Sequence, residues 1–122
     1  MSKKILVVDD DPVVVKLVSA TLQKEGYEVL TASDGLDAMV LIDKEKPDLL
    51  VLDIMLPEIN GYDICYNLRF DEHFPPLPVV LISSCEPVMH EMVFRRTNIY
   101  FMGKPINTKL LLEKIHLMLS VR

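Results

Sequence analysis

Four short runs in this 122-residue chain carry side chains that could do chemistry together: Asp9-Asp10-Asp11, Asp53, Ser83-Ser84 and Lys104-Pro105. Two carboxylates held about 4 Å apart repel by ~4 kcal/mol at an effective dielectric of 20. A cluster of three therefore needs a cation, a proton or a lysine beside it. Hard carboxylate oxygens at an open site favour Mg2+, which keeps several waters and takes a phosphate oxygen as an added ligand; Mn2+ suits the same donors. In such a setting Asp53 can attack phosphorus as a carboxylate nucleophile and become an aspartyl phosphate. A metal held by Asp10 and Asp53, together with the Lys104 ammonium, would offset charge on the transferring group, and the Ser83 hydroxyl would donate a hydrogen bond to it. Each residue alone has a plainer reading. An aspartate after a strand is most often a helix cap, as Asp11 before Pro12 is read to be, and a loop lysine is most often solvated.

What must bring these runs together is legible in the hydrophobic pattern. Apolar runs at Ile5–Val8, Leu49–Leu52, Val79–Ile82 and Ile99–Met102, with a weaker and more mixed one at Tyr27–Thr31, predict strands buried on both faces. Between them lie helical patterns. Val14, Leu17, Val18, Thr21 and Leu22 recur at helical spacing after Pro12 and stop at Gly26. Leu36, Met39 and Ile42 form a second stripe, capped by Ser33 or Asp34 and blocked by Pro47. Asn60-Gly61 marks a loop and Tyr62–Phe70 a third helix; residues 85–98 predict a short fourth one. Asn107 or Thr108 caps the last helix, whose stripe is Leu111, Leu112, Ile115, Met118 and Leu119.

Five strand–helix units imply an α/β domain with a parallel sheet covered on both faces. In open sheets of this kind ligands bind beyond the carboxyl ends of the strands. That edge is where Asp9–Asp11, Asp53, Ser83-Ser84 and Lys104 fall, each from a different strand.

Composition sets the outer bounds. Half the residues are apolar, a quarter are charged, and the net charge is −5. These figures describe one globular domain over residues 1–122 with roughly two-thirds of its unfolded surface buried. The acidic balance argues against direct nucleic-acid binding, and Arg95-Arg96 is too small a basic patch to reverse that. Cys65 and Cys85 lack metal or redox spacing, and His73, His90 and His116 lack ligand spacing. Lys3-Lys4 before Ile5–Val8 mimics a signal peptide, but the apolar run is too short and acids follow at once. No run is long enough to span a bilayer, so a cytoplasmic protein without membrane insertion is expected.

Read together, Val7-Val8-Asp9-Asp10-Asp11-Pro12, Leu52-Asp53-Ile54-Met55-Leu56-Pro57 with Asn60-Gly61, Pro78–Ser84 and Lys104-Pro105 resemble the receiver domains of two-component response regulators, the chemotaxis-regulator type among them. The resemblance runs over nearly the whole chain, in order and at matching spacing. It implies a flavodoxin-like doubly wound fold with strand order 2-1-3-4-5. It implies that Asp53 takes a phosphoryl group from a phosphohistidine on a sensor histidine kinase or a histidine phosphotransfer protein. It implies that Asp9, Asp10, Asp53 and the backbone carbonyl of Met55 hold Mg2+, with Ser83 as switch hydroxyl and Phe101 as switch aromatic. The bond before Pro105 is often cis in such domains, which would aim Lys104 at the site. A downstream effector protein or domain would read the surface of the fourth helix, fifth strand and fifth helix, and a homodimer is a further option. Three departures touch that surface: the stretch between Ser83 and Lys104 is about a residue short, Thr97-Asn98 replaces the common Gly-Ala, and Phe101 replaces the commoner tyrosine.

Met55 and Cys85 lie two positions past Asp53 and Ser83, where side chains flank the phosphoryl group in similar domains. Neither orients water well, so slow self-dephosphorylation is expected. The rivals fare worse. A phosphatase of the aspartyl-phosphate type needs a second acid where Met55 stands, and a flavin module would place a phosphate against Asp9–Asp11. A non-phosphorylated receiver-like interaction domain would not need the full acceptor set. The chain reads as a stand-alone regulator or as a receiver module of a larger regulator or hybrid kinase.

Overall fold

The protein is described from a computed structural model, which covers residues 2–56, 61, 63, 64, 67, 77–84 and 99–120. Along the chain run β1 (Lys4–Val8), α1 (Pro12–Lys24), β2 (Glu28–Ala32), α2 (Gly35–Glu45), β3 (Leu49–Asp53), β4 (Val79–Ser83), β5 (Ile99–Gly103) and α3 (Thr108–Ser120). All strands are parallel, in the order β2-β1-β3-β4-β5. Strand order reverses beside β1, between its pairings with β2 and β3, and this is the crevice where such sheets bind ligands.

Alternation along the strands splits the core in two. Ile5, Val7, Leu49, Val51, Val80 and Ile82 pack with Val18 and Leu22 of α1 and with Leu111, Ile115 and Met118 of α3. Leu6, Val8, Leu50, Leu52, Val79 and Leu81 face the other way, toward Ala38 and Ile42 of α2 and toward Ile64. The central strands β1, β3 and β4 thus have almost no solvent face, which is why they read as continuous apolar runs, whereas the edge strands β2 and β5 are partly exposed. No helix among the described residues is long and apolar enough to cross a membrane.

Helix starts follow side-chain capping. The Asp11 carboxylate accepts from Val13 N at 2.9 Å, and Pro12 follows in the first turn, where no amide is needed. Of the two candidates before α2, Asp34 is the cap, accepting from Asp37 N at 2.8 Å. Before α3 the cap is Asn107, which accepts from Leu110 N at 3.1 Å. α1 stops ahead of Gly26, whose φ of +88° suits glycine. α2 stops at Lys46 in the left-handed region, with Pro47 next.

Two stripes differ from the periodicity reading. Leu17 of α1 is 45% exposed, and Leu36 of α2 is 54% exposed. In α2 the inward positions are Gly35, Ala38 and Ile42, one residue ahead of the predicted stripe at its start. Gly61, read as a loop residue, is already helical, as are Asp63, Ile64 and Asn67. The rest of the predicted third helix, and the fourth helix over residues 85–98, lie outside the described residues.

Candidate functional site

The strands end where the chemistry begins. Asp53 and Ser83 are the last residues of β3 and β4, one residue further along than the apolar runs suggest, and Asp9 follows β1 directly. At these strand ends Asp9 is 1% exposed, Asp53 3% and Ser83 2%. Asp10 is exposed beside them. Lys104 follows β5 and reaches back across β4. Its backbone amide donates to the Ser83 carbonyl at 2.8 Å, which fixes the start of the loop. The Lys104–Pro105 peptide bond is cis, as expected.

The half-buried ammonium of Lys104 lies 3.3 Å from Asp53 Oδ2, to which it donates a hydrogen bond, and 3.1 Å from Asp9 Oδ2. The second contact is one of charge without hydrogen-bond alignment: buried Asp9 Oδ2 has no hydrogen-bond partner. The other oxygens are held by main chain. Asp9 Oδ1 accepts from Asp11 N at 2.9 Å, and Asp53 Oδ1 from Met55 N at 3.1 Å. Both carboxylates are therefore clamped on one side and turned to a common point on the other.

Electrostatics record the crowding. Burial pushes the Asp53 carboxyl above its ordinary value; the Met55 amide and the Lys104 ammonium pull it down, Asp9 pushes it up, and the rise prevails. Burial pulls the Lys104 ammonium down, but its contacts with Asp9 and Asp53 outweigh this and raise it. Asp9, Asp10 and Asp53 each offer an oxygen within 4.8 Å of the others. Three carboxylates against one ammonium leave two formal negative charges. That surplus, the all-oxygen donors and the unbonded Asp9 Oδ2 fit a hard divalent cation.

The structure thus brings together Asp9, Asp10, Asp53 and Lys104, with Ser83 closing the neighbouring strand end. Phe101 is half-buried on β5, opposite Leu81 and two register positions from the Ser83–Gly103 pair. By strand alternation Phe101 and Ser83 share a face of the sheet. The Met55 side chain is 62% exposed beside the site. Cys85 lies outside the described residues, as do Cys65, His73 and His90. His116 sits far from these groups on α3, where Nδ1 meets the Tyr27 hydroxyl at 2.6 Å. Gly61 lies against the acceptor end of β3, a placement its reading as a turn residue did not include.

The sequence profile of the family described as "Response regulator receiver domain" matches residues 5–116. The chain belongs to the response regulator receiver domain family. It is 52% identical over 84 residues to the alkaline phosphatase synthesis transcriptional regulatory protein PhoP of Bacillus subtilis, covering 69% of this chain and 34% of that protein. It is 32% identical over 117 residues to the DNA-binding dual master transcriptional regulator RpaA of Synechocystis, covering 95% of this chain and 48% of that one. Its fold matches a putative response regulator from Chloroflexus aurantiacus with a TM-score of 0.87 and 29% identity, over 98% of this chain and 99% of that one. This receiver domain spans between a third and a half of the length of those two curated relatives. It is a two-component signalling domain with the CheY-like, flavodoxin-like architecture.

Proposed function

We propose that this receiver domain is a phosphoacceptor switch in which Asp53 takes a phosphoryl group from a phosphohistidine on a histidine kinase or phosphotransfer protein. One observation carries the reading above the rest: a buried carboxylate, Asp53, hydrogen-bonded at 3.3 Å to a lysine that also pairs with a second buried carboxylate.

The steps follow from what each group can do. One Asp53 oxygen attacks phosphorus while the phosphorus–nitrogen bond breaks, and its electron pair returns to the imidazole. The Met55 amide holds Asp53 Oδ1 and so fixes the plane of the carboxylate. Lys104 follows the charge: paired with carboxylates beforehand, its ammonium is placed to pair with a phosphoryl oxygen afterwards. The Ser83 hydroxyl would donate to another phosphoryl oxygen. Asp9, Asp10, Asp53 and the Met55 carbonyl are the groups that would hold Mg2+, or Mn2+ in its place. When bound, the metal neutralises charge on the transferring group.

Drawing Ser83 toward the phosphoryl group would free space on the face it shares with Phe101. The aromatic ring would then favour an inward position, and the surface around β5 and α3 would change for a downstream effector. Such a shift is complete only if the two states differ by ~5.5 kcal/mol in their response. With Met55 beside the acceptor and Cys85 past Ser83, no side chain at either place orients water, so the phosphorylated state would decay slowly.

The test is intact-mass measurement after incubation with Mg2+ and acetyl phosphate. A gain of one phosphoryl group in the native chain, absent in Asp53→Asn, is the expected result. No gain, or an equal gain in the variant, overturns the assignment.

A further inference from the structure

Gly61 makes an unusually close approach to the acceptor strand. A Cβ built on it would lie 2.8 Å from the Asp53 carbonyl oxygen and 2.8 Å from Ile54 Cα, with the Asp53 carbonyl carbon at 3.3 Å. All three are backbone atoms, which cannot swing aside as a side-chain tip can. The Gly61 amide also donates to the Ile54 carbonyl at 2.8 Å, and Gly61 is buried. Ile54 N in turn donates to the Ile82 carbonyl of β4 at 3.0 Å. The main chain on either side of the Asp53–Ile54 peptide is therefore held between β4 and Gly61.

We infer that Gly61 is a positioning residue for the phosphoacceptor: its missing side chain lets its amide close on Ile54 and so sets where the Asp53 carboxylate points. The inference rests on the reading of Asp53 as acceptor. Nothing about Gly61 requires the positive φ for which glycine is usually selected; what it requires is close backbone contact, and here that contact is made with the residue that reacts.

The consequence for Gly61→Ala is quantitative. Relief from 2.8 Å to the 3.4 Å of ordinary contact needs a displacement of about half an ångström, and the atoms that must yield belong to Asp53 and Ile54. Misplacement by ~1 Å costs ~100-fold in rate, so a shift of half that size predicts about a tenfold loss. The loss should fall on the limiting rate of phosphorylation at saturating acetyl phosphate. The concentration for half-saturation should hardly move, because Lys104 and Ser83 are untouched.

The experiment compares native protein, Gly61→Ala, Asp53→Asn and a core control, Ile115→Val, on the full chain with Mg2+ and acetyl phosphate. Phosphorylation is followed by intact mass at a temperature where circular dichroism shows each variant folded. A tenfold lower limiting rate in Gly61→Ala, with native rate in Ile115→Val, is the expected outcome. A native limiting rate in Gly61→Ala overturns the inference, and so does an equal loss in both variants. If Gly61→Ala is unfolded at 25 °C, the comparison is made at 5 °C with trimethylamine N-oxide, which favours the compact state. Failure to fold even there overturns positioning in favour of a purely structural role. Continued mass gain in Asp53→Asn defeats the acceptor assignment itself, independently of the Gly61 result.

Discussion

Replacing Asp53 by asparagine should strengthen the fold when no divalent cation is present and weaken its response when one is added. The perturbation removes one negative charge and little volume. Three local effects decide the first sign. The hydrogen-bonded Lys104 ammonium at 3.3 Å attracts the carboxylate by about 5 kcal/mol at an effective dielectric of 20. Asp9, with an oxygen within 4.8 Å, repels it by about 3.5 kcal/mol or more on the same scale, and exposed Asp10 adds a screened repulsion. Those terms nearly cancel. What is left is the cost of holding a charge that is 3% exposed, and this places the Asp53 carboxyl above its ordinary value. The asparagine oxygen can still accept from the Met55 amide, while its NH2 takes the place of the oxygen that accepted from Lys104 and leaves that ammonium to Asp9. A net gain of about 1 kcal/mol in EDTA at pH 7 is expected, which for a domain of this size raises Tm by about 4 °C.

The pH dependence has a fixed sign. A carboxyl whose value is raised in the folded state favours folding while protonated, and that contribution is complete below its ordinary value. It is lost as pH rises through the folded-state value. The advantage of Asp53→Asn in EDTA should therefore be present at pH 7 and shrink on acidification to about pH 3.5, as Asp53 in the native chain takes up its proton. Mg2+ acts in the opposite direction. At a hundred times its Kd a single-site ligand adds ~2.7 kcal/mol to the native fold, and loss of one of three carboxylates should remove more than half of that increment. Thermal melts of both proteins, in EDTA and in a Mg2+ titration at each pH, read both signs. A variant less stable than native in EDTA at pH 7, or one with an undiminished Mg2+ increment, refutes the charge balance worked out above.

Three other outcomes are open to direct measurement. Lys104→Met leaves buried Asp9 and Asp53 without their cation; it should cost about 1–3 kcal/mol in EDTA by urea denaturation, with a smaller deficit in Mg2+, and abolish phosphorylation by acetyl phosphate. Because the Lys104 ammonium is raised in the folded state, its contribution is complete below the ordinary lysine value and lost as pH rises through its higher folded-state value; native stability should fall more steeply than that of Lys104→Met as pH is raised above the ordinary lysine value of about 10.4. Met55→Asn combined with Cys85→Glu should shorten the life of the phosphorylated state in a mass-based decay assay, and equal or slower decay would sink the explanation from water orientation.

Much of this was legible beforehand, for definite reasons. Strands buried on both faces must be apolar throughout, so β1, β3 and β4 announced themselves to within a residue. The one-residue difference has a cause: the apolar runs stop at Leu52 and Ile82, yet Asp53 and Ser83 each complete the ladder, since pairing depends on the backbone and not on side-chain polarity. Leu36 and Leu17 misled because periodicity counts an apolar residue as inward wherever it falls on the stripe. Near the start of α2 the buried residues are Gly35 and Ala38, and periodicity of apolar side chains does not pick out a glycine. Choices between neighbouring caps, Ser33 or Asp34 and Asn107 or Thr108, turn on a rotamer and a φ angle, and both were settled only by geometry.

The site itself divides along the same line. That Asp9, Asp53, Ser83 and Lys104 share an edge follows from topology, because parallel strands put all their carboxyl ends on one side. That one ammonium bridges Asp9 and Asp53 while Asp9 Oδ2 is left without an aligned donor does not follow from topology, and it turns a list of polar residues into a charge imbalance. The imbalance also suits a switch. A site already neutral would gain little from an incoming metal and phosphoryl group, whereas two surplus negative charges around a buried nucleophile make the resting state dependent on a cation. On the proposed reading, adding a metal would lower the energy of the site and adding a phosphoryl group to Asp53 would redirect Lys104. Both events act through one lysine, whose own backbone is tied to Ser83 on the strand beside Phe101.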